Sequence, residues 1–411
     1  MAPYRSAGDG VTRAFSFRLL GVALLTLAAL AITFPLLSTA RNAPPPQAGQ
    51  GWCSEGLTVR DGRVVGANYL GRQDGFADAA GTTGGLGQRL LLVTSTADDA
   101  RSAHAGTLRH AVETARAAGG GYILFDLPRD AQPITLRTPL RLGSNVTFDG
   151  GCSTPRIIDR SAGSAIYLDG VRNVVIVGIT LTQTGFADQD EGGDCITVRD
   201  GADRVWVAYS AFSACRDGMI DVTAKHGDRR GRVTISDNLF TDHDKVMLVT
   251  AAAPDGASCF ANGVGNAQLQ VSLLRNRFVR VAQRIPRVAG NSFVHSYGND
   301  IAFAPRRRNS GEMSGSYGGL ARDGGRLLSQ ANRYRSMTND KVLRGLVADG
   351  PSQKGRGICA GQGAALSVDD KFGPRLERRE GNRNRVSAQS YNLSNRATAW
   401  QADRPVGPAL R

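Results

Sequence analysis

Asn145-Val146-Thr147-Phe148, Asn173-Val174-Val175-Ile176, Arg204-Val205-Trp206-Val207 and Arg232-Val233-Thr234-Ile235 decide how this chain folds. Each is a short run rich in β-branched or aromatic residues, the composition of a strand. They return at intervals of roughly thirty residues, a spacing that signals a solenoid or a propeller. Further strand-like runs lie between them at 165–168, 195–198, 219–222 and 246–250, divided by glycine, aspartate and asparagine. Each repeat holds about three strands and no long helix, which predicts an all-β, right-handed, single-stranded parallel β-helix. A propeller is the other architecture with such a period, but its Trp-Asp and Gly-His signatures are absent.

A second echo supports the solenoid. Thr234-Ile-Ser-Asp-Asn238-Leu-Phe240 matches Ser272-Leu-Leu-Arg-Asn276-Arg-Phe278. Asn238 and Asn276 are expected at equivalent turns, in a stacked asparagine ladder, where asparagine tolerates left-handed backbone. Upstream, the stretch from Gly106 to Val112 predicts a short capping helix with Thr107 at its N-cap and Leu108, Ala111 and Val112 on its apolar face. Gly84 to Gly87 reads as a turn. The repeat weakens after about residue 308, so the β-helix is assigned to 51–308. A C-terminal extension packing on or near it is assigned to 309–373, and a polar basic tail to 374–411.

Arg5, Arg13 and Arg18 precede an uncharged apolar run from Leu19 to Leu37, followed by the small residues Ser38, Thr39 and Ala40. This is the pattern of an export signal. The run approaches membrane-spanning length, so an uncleaved anchor is the alternative; Pro35 favours cleavage because it breaks the helix before the cut. Residues 1–40 are thus read as signal peptide or anchor and 41–50 as linker. The expected location is secreted or periplasmic. Six cysteines follow the signal, and in an exported chain an even count suggests disulfides, with fifteen possible pairings. No C-x-x-C, nucleophile elbow, phosphate loop or His-Glu-x-x-His zinc motif is present. A net charge of +14 favours a polyanionic partner.

Several short blocks then occur in a telling order: Gly75-Phe76-Ala77, Gly84-Gly85-Leu86-Gly87, Val93-Thr94 and Gly106-Thr107-Leu108-Arg109 come first. Asp217-Gly218-Met219-Ile220-Asp221-Val222, Val233-Thr234-Ile235-Ser236, His243-Asp244-Lys245-Val246-Met247-Leu248 and Arg284-Ile285-Pro286-Arg287-Val288 follow. From Gly75 to Asn299 the chain resembles the pectate lyases, secreted β-helix polysaccharide lyases. The resemblance implies an enzyme that binds an acidic polysaccharide, with Ca²⁺ as cofactor, no nucleic acid partner and a monomeric state.

Asp217 and Asp221 are expected on one strand, and their even spacing puts both carboxylates on one face. Facing carboxylates repel unless a cation lies between them, and hard oxygen ligands suit Ca²⁺. Asp194, about one coil earlier, is expected to stack beside them. The resemblance implies that all three hold Ca²⁺, that Lys245 and Arg287 bind substrate carboxylates, and that Arg284 removes the C5 proton of a galacturonate. A guanidinium normally stays protonated, and neighbouring cations are what would favour its neutral form. Three positions depart from the family. Gly192 stands where a further carboxylate is usual, with Asp188, Asp190 and Glu191 nearby as substitutes. Ala289 stands where a further arginine is usual. Val205-Trp206-Val207 continues as Ala208-Tyr209 where Asp-His is usual. His295 and His243 are expected to be structural, since neither has a paired nucleophile or acid.

The expected reaction is Ca²⁺-assisted β-elimination of 4-linked polygalacturonate. Two other functions fit parts of the sequence. A non-catalytic binder of acidic polysaccharide would form no unsaturated product. A β-helix glycoside hydrolase would need paired catalytic carboxylates and water.

Overall fold

The computed structural model describes residues 56–99, 103–184, 192–253, 259–260, 263–307, 311–339, 342–350, 359, 362–381, 386, 391 and 393. The expected signal at 1–40 and linker at 41–50 lie outside them. Among the described residues no helix is long and apolar enough to cross a membrane.

The chain winds as a parallel β-helix. One coil runs through Ile196–Arg199, Asp203–Ala208 and Ala211–Ser213 before Ile220–Ala224 returns beside the first strand. Repetition builds parallel sheets of nine, ten and nine strands. The quoted repeat positions stack in register: Val146, Val174, Val205, Val233, Val271 and Val294 form one line through the ten-stranded sheet. All six are fully buried. A slip of one residue would turn that line outward, so burial itself fixes the register. Neighbouring coils lie at the ordinary strand spacing, and core side chains therefore form columns. Phe212, Phe240 and Phe278 stack with centroids 5.3 and 4.9 Å apart.

The asparagine ladder is present and longer than the echo suggested. The backbone N–H of Asn238 donates to Asn276 Oδ1 at 2.9 Å, that of Asn276 to Asn299 Oδ1 at 2.8 Å, and that of Asn299 to Asn332 Oδ1 at 2.8 Å. Asn332 ends the series on Asp370 Oδ1 at 2.7 Å. Each of these asparagines also donates from Nδ2 to a carbonyl one coil back. The left-handed residue is not the asparagine, as expected from sequence, but the residue before it: Asp237, Arg275, Ala331 and Asp369 have φ between 53° and 58°. The preceding residue makes the corner, which leaves the carboxamide free to point inward and satisfy buried backbone groups. Each such group would cost about 1–3 kcal/mol if left unpaired.

The sheets continue beyond the boundary read at 308. Strands Tyr317–Ala321, Arg326–Gln330, Arg333–Ser336, Leu343–Ala348, Ala364–Val368, Lys371–Phe372 and Leu376–Arg379 extend all three. The described strands of the extension assigned to 309–373, and the strand at the start of the tail read from 374, are therefore part of the solenoid. Glycines hide this in the sequence: a Cβ on Gly318 would lie 2.3 Å from the Gly345 carbonyl oxygen. Close packing of coils demands glycine there, and glycine weakens a strand signal.

The N-terminal blocks dress the solenoid. Helix Leu108–Ala117 joins the end of the main core through Leu108, Ala111, Val112 and Ala115, with Thr107 Oγ1 accepting from the His110 N–H at 3.3 Å. The Gly84–Gly87 segment is a turn, held where Thr83 and Gly84 N–H groups donate to Asn173 Oδ1. Phe76 and Ala77 donate backbone hydrogen bonds to Ser272 and Thr234, which anchors the Gly75–Ala79 helix on the ten-stranded sheet. Cys195 pairs with Cys215 and Cys259 with Cys359, and Cys152 is also disulfide-bonded.

His295 is fully buried in the ten-stranded sheet, with Nδ1 2.5 Å from Tyr391 Oη and Nε2 3.2 Å from Gln330 Oε1. Burial pushes its pKa down to about 4. The unfolded chain takes up the proton near pH 6.5, so it binds more protons than the folded chain between pH 6.5 and about 4. Stability should fall as pH falls through that window, by about 3 kcal/mol for a shift of this size. The stability lost between pH 6.5 and about 4 in chemical denaturation should be smaller for His295→Gln by that amount, with a shallower slope. Parallel slopes for the two proteins would contradict the assignment.

Candidate active site

The predicted residues gather at the nine-stranded sheet that contains Ile196–Arg199, Ile220–Ala224, Leu248–Ala251, Arg287–Gly290 and Tyr317–Ala321. Asp194 sits just before the first of these strands and is buried. Its Oδ1 accepts from the Gly218 N–H at 2.9 Å and its Oδ2 from Thr197 Oγ1 at 2.6 Å. Asp221 lies on the next strand, in register with Thr197, and its Oδ1 accepts from the Leu248 N–H at 2.8 Å. Asp217 is not on that strand. It lies in the bend before it, so the expected same-face pairing with Asp221 is corrected. Two contacts hold the bend: the Asp217 N–H donates to the Gly193 carbonyl at 3.0 Å, and His243 Nε2 lies 2.6 Å from the Asp217 carbonyl oxygen. Nor does Asp194 stack on either aspartate; it is level with Gly218, between them.

This arrangement makes Gly218 a cradle. A Cβ there would lie 2.4 Å from Asp221 Oδ1 and 2.8 Å from Asp194 Oδ1. Two carboxylate oxygens thus converge over bare backbone. Burial pushes the Asp194 pKa up to about 6, and the Asp217 charge adds to it. Burial and then the Asp194 charge push Asp221 well above the usual carboxylate range. Arg284 pulls both down, which places its positive charge at the same spot.

Asp217 turns to Lys245, whose Nζ donates to Asp217 Oδ1 at 2.8 Å from the end of strand Leu239–Lys245. Among the described residues no group of three or more acidic, histidine or cysteine side chains is arranged to hold a metal. The Asp194–Asp221 pair could hold Ca²⁺ through hard carboxylate oxygens that converge over open backbone. Asp217, bound to Lys245 through Oδ1, keeps its other oxygen for a cation.

Arg284 is half-buried at the corner between strands Arg277–Gln283 and Arg287–Gly290, with a left-handed φ of 60°. Its carbonyl accepts from the Met247 N–H at 2.8 Å, tying the corner to the coil that carries Lys245. Arg287 is also half-buried, and its Nε is occluded without a hydrogen-bond partner. Burial pushes its pKa below the usual arginine range, and the charges of Arg284 and Arg322 add to that effect. Within this cluster of arginines, Arg322 pairs with Asp323 at 3.0 Å, whereas the occluded Arg287 Nε keeps a donor that suits a carboxylate.

Two members of that cluster were not singled out from sequence. Tyr317 is half-buried, with the charges of Arg284, Arg287 and Arg322 acting on its phenol. Arg322 follows directly on Ala321, which pairs with Val288, so it stands one coil beyond Ala289. The arginine missing at 289 thus has a counterpart on the neighbouring coil. Continuing the repeat past 308 would have found it. The gap at Gly192 is also filled: a Cβ there would lie 2.6 Å from Arg216 Cδ. Arg216 donates to the carbonyls of Gly192 at 3.1 Å and Ser161 at 2.9 Å. The substitutes suggested by sequence, Asp188, Asp190 and Glu191, lie outside the described residues.

Gly218→Ala tests the cradle. The added methyl should displace one carboxylate and weaken Ca²⁺ binding by roughly tenfold or more, measured by calorimetry, because ligand geometry sets affinity. Unchanged affinity would remove Asp194 and Asp221 from the site.

The parallel β-helix thus gathers an acidic pair, arginines and a lysine where two of its sheets meet, and comparison with known proteins gives its class. The sequence model of the family described as "Pectate lyase" matches residues 66–344, and the chain belongs to that family. Probable pectate lyase 6 of Arabidopsis thaliana is 30% identical over 268 residues, 62% of this chain and 52% of the relative. Probable pectate lyase 18 of Solanum lycopersicum is 30% identical over 269 residues, 61% and 60% of the two chains. The chain spans about half the length of several curated relatives it matches. Among solved structures, jun a 1, the major allergen from cedar pollen, superposes with a TM-score of 0.53 at 22% identity, covering 79% of this chain and 86% of that one. A pectate lyase from Bacillus sp. N165, solved with trigalacturonate, gives 0.52 at 15% identity, covering 82% and 98%. These structures share the fold.

Proposed function

We propose that the protein is an exported polysaccharide lyase that cleaves 4-linked polygalacturonate by Ca²⁺-assisted β-elimination. The observation that carries this reading is the buried, mutually repelling pair Asp194 and Asp221 beside Arg284. These two carboxylates, with the other oxygen of Asp217, would hold Ca²⁺. The ion, when bound, supplies positive charge that attracts the C6 carboxylate and acidifies C5. Lys245, Arg287 and Arg322 bind uronate carboxylates and fix the sugar chain along the sheet. Arg284, its guanidinium having first given a proton to solvent as neighbouring cations favour, accepts the C5 proton on the freed guanidine nitrogen. The electron pair released at C5 forms the C4–C5 double bond, the C4–O bond breaks, and the leaving oxygen takes up a proton from water. The surrounding cations stabilise charge developing on the carboxylate in the transition state. Disulfide pairing and the N-terminal pattern support export.

A non-catalytic acidic-glycan binder is the second reading, favoured by the Lys245–Asp217 ion pair, which offsets the charge one carboxylate would offer a metal. Mass analysis of polygalacturonate products decides between them. Elimination gives fragments lighter by one water than hydrolysis would give. No new fragments would support the binder, and hydrated fragments a hydrolase.

A further inference from the structure

A cavity lies on the other nine-stranded sheet, one strand of which, Leu239–Lys245, carries Lys245 at its end. It has a volume of about 420 Å³ and rests on the outer face of the sheet built from Arg156–Asp159, Thr180–Gln183, Ala211–Ser213 and Leu239–Lys245. The segment from Leu127 to Gln132 forms its other wall. On each strand the alternate residues point into the core, as Leu181, Phe212 and Phe240 do. The outward residues are mostly hydroxyls. Thr182, Ser213 and Thr241 are in register on successive coils, at the spacing of adjacent strands. Thr180 begins the neighbouring row, in register with Arg156 and Ala211.

Two features, beside the row of hydroxyls, mark this cavity as a ligand site. Arg129 and Arg156 are exposed at its rim. No aspartate or glutamate is among the residues that line it. A row of hydroxyls suits a polyhydroxylated ligand, and two guanidinium groups without an opposing acid suit a carboxylate on it.

We propose that this cavity is a second, non-catalytic binding site for a short acidic oligosaccharide, with Thr182, Ser213 and Thr241 contacting sugar hydroxyls and Arg129 and Arg156 a uronate carboxylate. The choice of a galacturonate chain among acidic sugars rests on the function proposed above; the site itself does not. It would hold the polymer at one sheet while another stretch of the same polymer occupies the active site, which raises the local substrate concentration.

The experiment is calorimetric titration of the full-length, chelator-treated protein with trigalacturonate at low salt, with maltotriose as the neutral control. The parent protein should bind two trigalacturonates and no maltotriose. Arg156→Glu should bind one, and Thr182→Val, which keeps the shape but removes a hydroxyl, should weaken the second event at least several-fold. Initial rates on trigalacturonate should stay within about twofold of the parent for both variants, since neither residue belongs to the machinery of elimination. A single binding event in the parent, two undiminished events in Arg156→Glu, or equal binding of maltotriose would each overturn the proposal. Failure of the lyase reading looks different: no product forms, while Arg156→Glu still removes one binding event.

Discussion

Arg284→Lys should reduce elimination on polygalacturonate on the order of 10²- to 10⁴-fold while changing substrate affinity little, since a misplaced base forfeits both orientation and proton transfer. Lysine keeps the positive charge, so the attraction to Asp194, Asp221 and the uronate persists. It loses the planar fork and its reach. The corner at residue 284 is left-handed, a conformation already tolerated by a long side chain there, and its carbonyl bond to Met247 comes from the backbone. Folding should therefore survive. Turnover at saturating substrate, with binding followed separately, reads the effect. A lysine variant within a few-fold of the parent would make Arg284 an electrostatic clamp and would leave the glycan-binding reading intact.

Asp221→Asn should weaken Ca²⁺ binding by roughly tenfold or more and make elimination correspondingly less sensitive to the metal, since ligand charge tunes affinity. Asparagine preserves the acceptor for the Leu248 N–H, so the strand contact at 2.8 Å is kept. Because burial and the Asp194 charge both oppose ionisation of Asp221, removing that charge relieves repulsion in the metal-free protein. The metal-free variant should thus melt at or above the parent temperature, whereas the two should separate in the opposite sense when Ca²⁺ is added. Equal Ca²⁺ affinity in both proteins would exclude Asp221 as a ligand.

Much of this molecule is visible in its sequence because a solenoid repeats its reasons. The valine line from Val146 to Val294 is one requirement, burial at a fixed register, met once per coil. Asn238 and Asn276 likewise reveal a ladder because each must satisfy the same buried backbone groups. The last coils were missed for the opposite reason: where Gly318 approaches Gly345, packing replaces the β-branched residue that would announce a strand. The site was legible as residue types and order, less so as placement. Spacing put Asp217 and Asp221 on one strand, but the contact of Asp217 with Gly193 and the grip of His243 form a bend that depends on neighbouring coils. Arg322 and Tyr317 belong to the arginine cluster only through the register of Val288 with Ala321, which no local pattern encodes.

The most direct test of the central claim is ultraviolet absorbance during incubation with polygalacturonate, first with Ca²⁺ and then after a chelator. Elimination creates a double bond conjugated to the C6 carboxylate, and each cleavage therefore adds absorbance. Absorbance should rise steadily with Ca²⁺, stop on chelation, and rise again when Ca²⁺ is restored in excess. A protein that binds the polymer yet produces no absorbance at any Ca²⁺ concentration would contradict it.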